Sequence, residues 1–180
     1  MELFARDIYL ENLEKTDLRG AVEYLQMRAA KIASGEALAR YMGELFWVLL
    51  GSEYVQLTDE EVKICRENLT VLRQRAEREN KGGLFPALAG HLTERYPWFF
   101  LDCKVNTEDP EATFREADRR AAKLFAKALL TDPRNPLVVA LSYPHNPDGK
   151  RNLPKDVKAA LLDALKGESV IEFYLKNEIC

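Results

Sequence analysis

Cysteine and histidine are scarce in this 180-residue chain, which contains three cysteines and two histidines. Cys65, Cys103 and Cys180 are odd in number and widely spaced, so they match neither a disulfide framework nor a zinc site. His91 and His145 are likewise not part of a Ser/His/Asp or metal-ligand pattern. This cysteine usage favours a reducing cytoplasm, and these residues predict no cofactor.

Long apolar runs and glycine-rich phosphate loops are also missing. The longest apolar run, Leu45 to Leu50, is far shorter than the roughly 20 residues that span a membrane. Acidic residues interrupt the apolar positions near the amino terminus, which argues against a signal peptide. Gly149-Lys150 lacks the other residues of a P-loop. We therefore expect no membrane partner and no nucleotide held by such a loop.

The charge balance argues against a protein whose whole surface binds nucleic acid. Lysine and arginine number 26 against 29 aspartates and glutamates, which gives a net charge of -3. Apolar residues make up 47% of the chain and charged residues 31%, a composition typical of soluble globular proteins. A chain of this length can bury a core without disulfides or metals.

Helical periodicity dominates residues 1–83. Apolar residues recur there at every third or fourth position in three successive stretches. Thr58 and Glu61 match a capping box, in which hydroxyl and carboxylate satisfy each other's free backbone amides. A fourth, shorter helix is predicted over Leu84 to Tyr96. The first 83 residues are therefore predicted to form a helical bundle region.

Residues 84–180 carry the pattern of a small, mainly parallel sheet. Leu137 to Ser142 begins with five consecutive apolar residues, which is typical of a strand buried on both faces. Helical patterns flank it, with two more strand candidates beyond them. The predicted strands are Trp98–Val105, Leu137–Ser142 and Ser169–Asn177, and the predicted helices are Asp109–Leu130 and Pro154–Lys166. The predicted fold class is α/β, a helical amino-terminal half packed with a β-α-β-α-β unit.

A long polar loop follows the central predicted strand. Ligands of open α/β sheets bind at the carboxyl ends of strands, where loops and helix amino termini converge. Lys104 would leave the same edge if the first two strands are parallel, and cations there suit phosphate or carboxylate. A loop rich in proline and asparagine is more often only a solvated connection. The candidate ligand-binding residues of the loop are His145, Lys150, Arg151 and Asn152.

Asp102-Cys103-Lys104 closes the first predicted strand. An acid and a lysine one residue apart can hold a divalent metal and position the attacking water. With the helix and strand predicted after it, this segment resembles the second half of the PD-(D/E)xK nuclease core. The resemblance implies phosphodiester cleavage with Asp102 and Lys104 as catalytic residues and Mg²⁺ as cofactor. The family also needs an acid on a preceding antiparallel strand, whereas the residues before Trp98 have a helical pattern.

A basic stripe runs along the predicted helix Asp109–Leu130. Such a row can bind a nucleic-acid backbone independently of sequence, with an affinity that falls steeply as salt rises. Acidic residues are interleaved with it, so a solvated helix face with local ion pairs is the more frequent arrangement. The stripe consists of Arg115, Arg119, Lys123 and Lys127.

Amphipathic helices without a catalytic cluster favour a non-catalytic function. We expect a cytoplasmic interaction protein, either an accessory subunit of a larger assembly or a protein that neutralises another. Its expected partner is another protein subunit, with nucleic acid as the second choice. The competing hypothesis is an enzyme or ligand-binding domain, either the metal-dependent nuclease or a phosphate-binding α/β domain.

Overall fold

The computed structural model is almost entirely helical. It describes residues 4–103, 109–145, 150–167 and 169–179, apart from the side chains of Ser52 and Glu53. Among these residues the only extended pairing is one antiparallel bridge between His145 and Arg151, so the predicted α/β fold with a parallel sheet is wrong. The helices are α1 (Ile8–Thr16), α2 (Leu18–Ile32), α3 (Gly35–Leu50), α4 (Ser52–Val55), α5 (Asp59–Arg78), α6 (Leu84–Arg95), α7 (Pro110–Thr131), α8 (Pro136–Leu141), α9 (Lys155–Ala164) and α10 (Val170–Ile179), with a 3₁₀ turn at Pro97–Phe99.

The central predicted strand, Leu137–Ser142, is in fact the short helix α8 with its carboxyl-terminal cap. The Asn135 side chain accepts hydrogen bonds from the backbone N–H groups of Leu137 (3.1 Å) and Val138 (3.3 Å). Pro136 occupies the first helical turn, where its missing N–H is not needed. Four residues of this helix are buried. A helix buried on nearly every side has few polar positions, so its sequence resembles a doubly buried strand.

The predicted strand Trp98–Val105 is also wrong over its described part. Pro97–Phe99 forms a 3₁₀ turn instead, and side chains of α5 satisfy the backbone around it. The Arg66 guanidinium donates to the Trp98 carbonyl oxygen (2.6 Å), and the Thr70 hydroxyl accepts from the Leu101 N–H (2.9 Å). The segment therefore binds to a helix surface and has no strand neighbour among the described residues.

The third predicted strand, Ser169–Asn177, is helix α10. The Glu172 carboxylate accepts hydrogen bonds from the Ser169 hydroxyl (2.8 Å) and the Gly167 N–H (3.0 Å). Serine and glutamate three residues apart before an apolar run are a helix-start signal. This signal outweighs the strand preference of the residues that follow it.

Several helix predictions are confirmed. The Thr58 hydroxyl accepts from the Glu61 N–H (3.3 Å) and the Glu61 carboxylate from the Thr58 N–H (2.7 Å), which completes the capping box of α5. The Asp109 side chain caps α7, which begins with Pro110. The predicted helices from Thr58, Leu84, Asp109 and Pro154 correspond to α5, α6, α7 and α9.

Helices α3 and α6 form the centre of the core. The whole of Leu84–Thr93 in α6 is buried, and α6 contacts α3, α5, α7 and α8. Helix α10 packs against α3 at Gly43, where a Cβ atom would lie 2.6 Å from Cδ1 of Ile171. The ring of Phe46 on α3 is 4.9 Å from that of Tyr174 on α10, measured between centroids. Helices from both halves of the sequence therefore share one core.

Two carboxyl groups are buried against each other between α1 and α3. Glu44 is 1% exposed, and Glu14 beside it accepts a hydrogen bond from the Val170 N–H (3.1 Å). Burial and the adjacent Glu14 raise the pKa of Glu44 to about 9, and burial also raises the pKa of Glu14. Arg40 and Glu11 are the other charged groups nearby. At neutral pH Glu44 is therefore protonated, and its side chain is hydrogen-bonded to Glu14.

Candidate ligand-binding groove

A charged groove lies between α5 and α7. Its volume is about 610 Å³, the size of many ligand sites. Five of the lining side chains are cationic and three are acidic, so the groove has a modest positive excess. The lining residues are Gln74, Glu77 and Arg78 of α5, Asp102 beyond the 3₁₀ turn, and Glu116, Arg119, Arg120, Lys123, Leu124 and Lys127 of α7.

Asp102 accepts hydrogen bonds from three side chains at the groove. The Arg73 guanidinium forms a salt bridge with its Oδ2 atom, to which Gln74 (3.2 Å) and Arg120 (3.4 Å) also donate. Arg73 is fully buried, and its guanidinium lies over the ring of Phe100, 5.2 Å from the centroid. The Asp102 carboxylate therefore compensates a buried cation, which is a structural use of that charge.

Glu116 neutralises two arginines on the wall formed by α7. Its carboxylate accepts from Arg119 Nε (2.8 Å), Arg119 Nη2 (2.9 Å) and Arg120 Nε (2.9 Å). These hydrogen bonds from Arg119 and Arg120 lower the pKa of Glu116 to about 2. The carboxylate is consequently ionised throughout the neutral range, and both guanidinium groups already have an anionic partner.

Lys127 is bound to the carboxyl end of α5. Its Nζ atom donates to the backbone carbonyl oxygens of Ala76 (2.9 Å), Glu77 (3.0 Å) and Glu79 (2.6 Å). The last carbonyl groups of a helix have no partner within the helix, and they lie at the negative end of its dipole. Lys127 therefore stabilises the contact between the two walls of the groove.

Among the described residues, Arg78 and Lys123 are the groove cations that take part in no ion pair. Both side chains are exposed, and neither forms an ion pair with any residue that the structure describes. Arg78 Nε donates to the Gln74 carbonyl oxygen (3.1 Å). One of these cations belongs to α5 and the other to α7, so each wall of the groove has one cation that forms no ion pair with a described residue.

The predicted basic stripe is divided between different environments. Arg119, Lys123 and Lys127 line the groove together, as their helical spacing requires. Arg115 is not among the lining residues and pairs with Asp109 (2.7 Å) and Glu111 (3.4 Å) near the start of α7. The interleaved acids therefore form ion pairs with part of the stripe.

The loop after α8 is held by Arg151. This arginine is buried and donates to the carbonyl oxygens of Leu141 (2.8 Å) and Tyr143 (2.6 Å) and to the Glu94 carboxylate. His145 Nδ1 is 3.5 Å from Glu94, and burial together with Arg151 lowers the His145 pKa to about 4. The predicted ligand residues Lys150 and Asn152 are exposed on the same loop. Arg151 and His145 thus contact α6, and no sheet edge lies beside them among the described residues.

The structure removes the strand on which the nuclease resemblance depended. Asp102 follows a 3₁₀ turn and is bound to arginines, while Lys104 lies outside the described residues. In the part of the chain that the structure covers, no three histidine, cysteine, aspartate or glutamate side chains are grouped as metal ligands would be. The geometry of the described residues therefore gives no support to a step through Mg²⁺.

Several groove residues, Arg78 and Arg120 among them, were not among the predicted site residues, and neither was Arg73, which binds Asp102 from the interior. Arg73 lies four residues after Leu69 and three before Ala76, both buried, so the helical spacing placed it on the apolar face of α5. A charged residue at such a position needs a partner. That partner, Asp102, is 29 residues away in the sequence, and no local pattern indicates it.

Comparison with known proteins gives no further indication of function. No family model matches the chain, and neither the curated proteins nor the solved structures include a match. None of the described helices is long and apolar enough to cross a lipid bilayer.

Proposed function

We propose that the protein is a non-catalytic interaction subunit and that the groove between α5 and α7 binds its partner. The observation that carries this proposal is the pair of cations Arg78 and Lys123, one on each wall and neither with an acidic partner among the described residues. Uncompensated charge in a concave surface attracts an oppositely charged group and orients the molecule that carries it.

The rest of the groove supports binding without catalysis. The carboxylates of Asp102 and Glu116 are held by arginines, so neither is placed as a free acid or base. Lys127 joins the two walls through its hydrogen bonds to carbonyl oxygens at the end of α5. A preformed site loses less conformational entropy when its partner binds.

The test is native mass spectrometry of the full chain purified from its own host at low ionic strength. A double variant, Arg78→Glu with Lys123→Glu, reverses both uncompensated charges. Its control, Lys63→Glu with Lys155→Glu, makes the same change in net charge at exposed lysines outside the groove.

We expect a defined additional protein mass on the wild type and on the control, and its loss from the groove variant. Equal retention of that mass by all three proteins would contradict binding at the groove. A bound nucleotide or metal ion in place of a protein would contradict the proposal of a non-catalytic subunit.

A further inference from the structure

We infer that the groove recognises a protein segment of mixed charge, with two acidic side chains opposite Arg78 and Lys123 and a basic one opposite Glu77, and that it does not follow a nucleic-acid backbone. This inference rests on the proposed function, because it names the chemistry of the partner that occupies the same groove.

The first argument is the distribution of charge on the wall formed by α5. Glu77 and Arg78 are adjacent and both line the groove, so this wall presents one charge of each sign. The Glu77 carboxylate accepts one side-chain hydrogen bond, from Arg73 Nη1 to its Oε1 atom (3.1 Å). Its side chain is 38% exposed. A basic side chain of a partner can reach this carboxylate, whereas a phosphate would be repelled by it.

The second argument is that few cations of the groove are available. Arg119 and Arg120 bind Glu116, and Lys127 binds carbonyl groups, which leaves Arg78 and Lys123. Duplex DNA carries roughly one negative charge for every 1.7 Å of its axis, and its affinity grows with each phosphate that is neutralised. Among the described residues this leaves two cations outside any ion pair and an accessible carboxylate, Glu77, which suit individual charged side chains better than a continuous row of phosphates.

The third argument is the length of the groove. Its wall on α7 extends from Glu116 to Lys127, which at 1.5 Å per residue is about 16 Å. An extended chain covers this distance with about five residues, and a helix with about three turns. A short peptide segment, helical or extended, therefore matches the length of the groove.

The experiment measures fluorescence anisotropy of labelled probes with the full chain at low and moderate salt. The probes are 12-residue peptides of Glu, Lys and Ala with one composition and several orders, an all-Glu/Ala peptide, and a single-stranded and a duplex oligonucleotide. The proteins are the wild type, Arg78→Glu/Lys123→Glu, the control Lys63→Glu/Lys155→Glu, and Glu77→Gln.

We expect at least one order of the mixed peptide to bind the wild type and the control alike, and to bind the groove variant at least tenfold more weakly. Glu77→Gln should weaken this peptide severalfold and leave the all-Glu/Ala peptide unchanged. If an oligonucleotide binds the wild type more tightly than the peptides do, and the groove variant no longer binds that oligonucleotide, the inference is overturned. The groove would then still be the binding surface. If no probe distinguishes the wild type from the groove variant, the inference fails, and the mass-spectrometric test of the proposed function decides separately whether a partner binds there.

Discussion

Lys123 and Lys127 lie four residues apart on one face of α7, yet their surroundings give them different roles. Lys127 is surrounded by carbonyl oxygens from the end of α5, whereas Lys123 is exposed without an ion-pair partner among the described residues. A row of like residues in a sequence therefore includes both a structural side chain and one available to a ligand.

Replacement of Lys127 by methionine should lower the free energy of unfolding by about 1–2 kcal/mol. The apolar side chain would leave the carbonyl groups of Ala76, Glu77 and Glu79 without a donor and remove a cation from the helix terminus. Urea denaturation followed by circular dichroism measures the change. The control, Lys123→Met, should stay within about 0.5 kcal/mol of the wild type. Equal destabilisation by the two variants would show that Lys127 has no special structural role.

Helix α8 is the element in which the local sequence pattern and the structure differ most. Six residues make only about 1.7 turns, so the helix depends on its cap and on its burial. Asn135 is itself buried and provides the acceptor for two backbone N–H groups.

The variant Asn135→Ala should be destabilised by about 1–2 kcal/mol, because two buried N–H groups lose their acceptor. Asn135→Asp keeps an acceptor oxygen at the same place and should retain more of the stability. Thermal and urea unfolding of both variants measure the difference. If the alanine variant is as stable as the wild type, the cap is not what holds this segment helical.

Several correctly predicted helices combine an amphipathic face with a clear cap, whereas α6 and α9 were predicted although they begin without a capping side chain. α5 and α7 satisfy both conditions, and the spacing of Arg119, Lys123 and Lys127 correctly placed them on one face. Periodicity cannot distinguish a helix buried on all sides from a doubly buried strand, which explains the error at α8. The groove was not predictable, because it requires the packing of α5 against α7 and the non-local pairing of Arg73 with Asp102.

The stability of the whole molecule should depend on pH through Glu44. Its carboxyl group is protonated in the folded protein up to about pH 9 but ionises near pH 4.5 when exposed. Unfolding between these values therefore releases a proton, and the free energy of unfolding falls as pH rises. The two histidines contribute little above pH 7, since burial lowers their pKa values in the folded state and they are also mainly neutral when unfolded.

We expect the free energy of unfolding to fall between pH 7.0 and 7.8 by up to about 1.4 kcal/mol per pH unit; at higher pH the thiols of Cys65 and Cys103, whose pKa values burial also raises, add to the slope. Glu44→Gln has no proton to release and should flatten this slope, while exposed Glu67→Gln should leave it unchanged. Urea unfolding at several pH values tests the prediction. A slope that persists in Glu44→Gln would assign the pH dependence to another group.

The packing of α10 against α3 also has a consequence for synthesis on the ribosome. α3 is buried by α2, α5, α6 and α10, so its apolar surface stays partly uncovered until residues 170–179 have emerged. Gly43 and Phe46, which contact α10, lie more than a hundred residues earlier in the chain. A nascent chain with an open apolar surface of this kind is prone to aggregation and is a substrate for chaperones. Folding is therefore expected to finish only after α10 has left the ribosome. Slow translation of residues 170–179 would lengthen the time during which the nascent chain can aggregate.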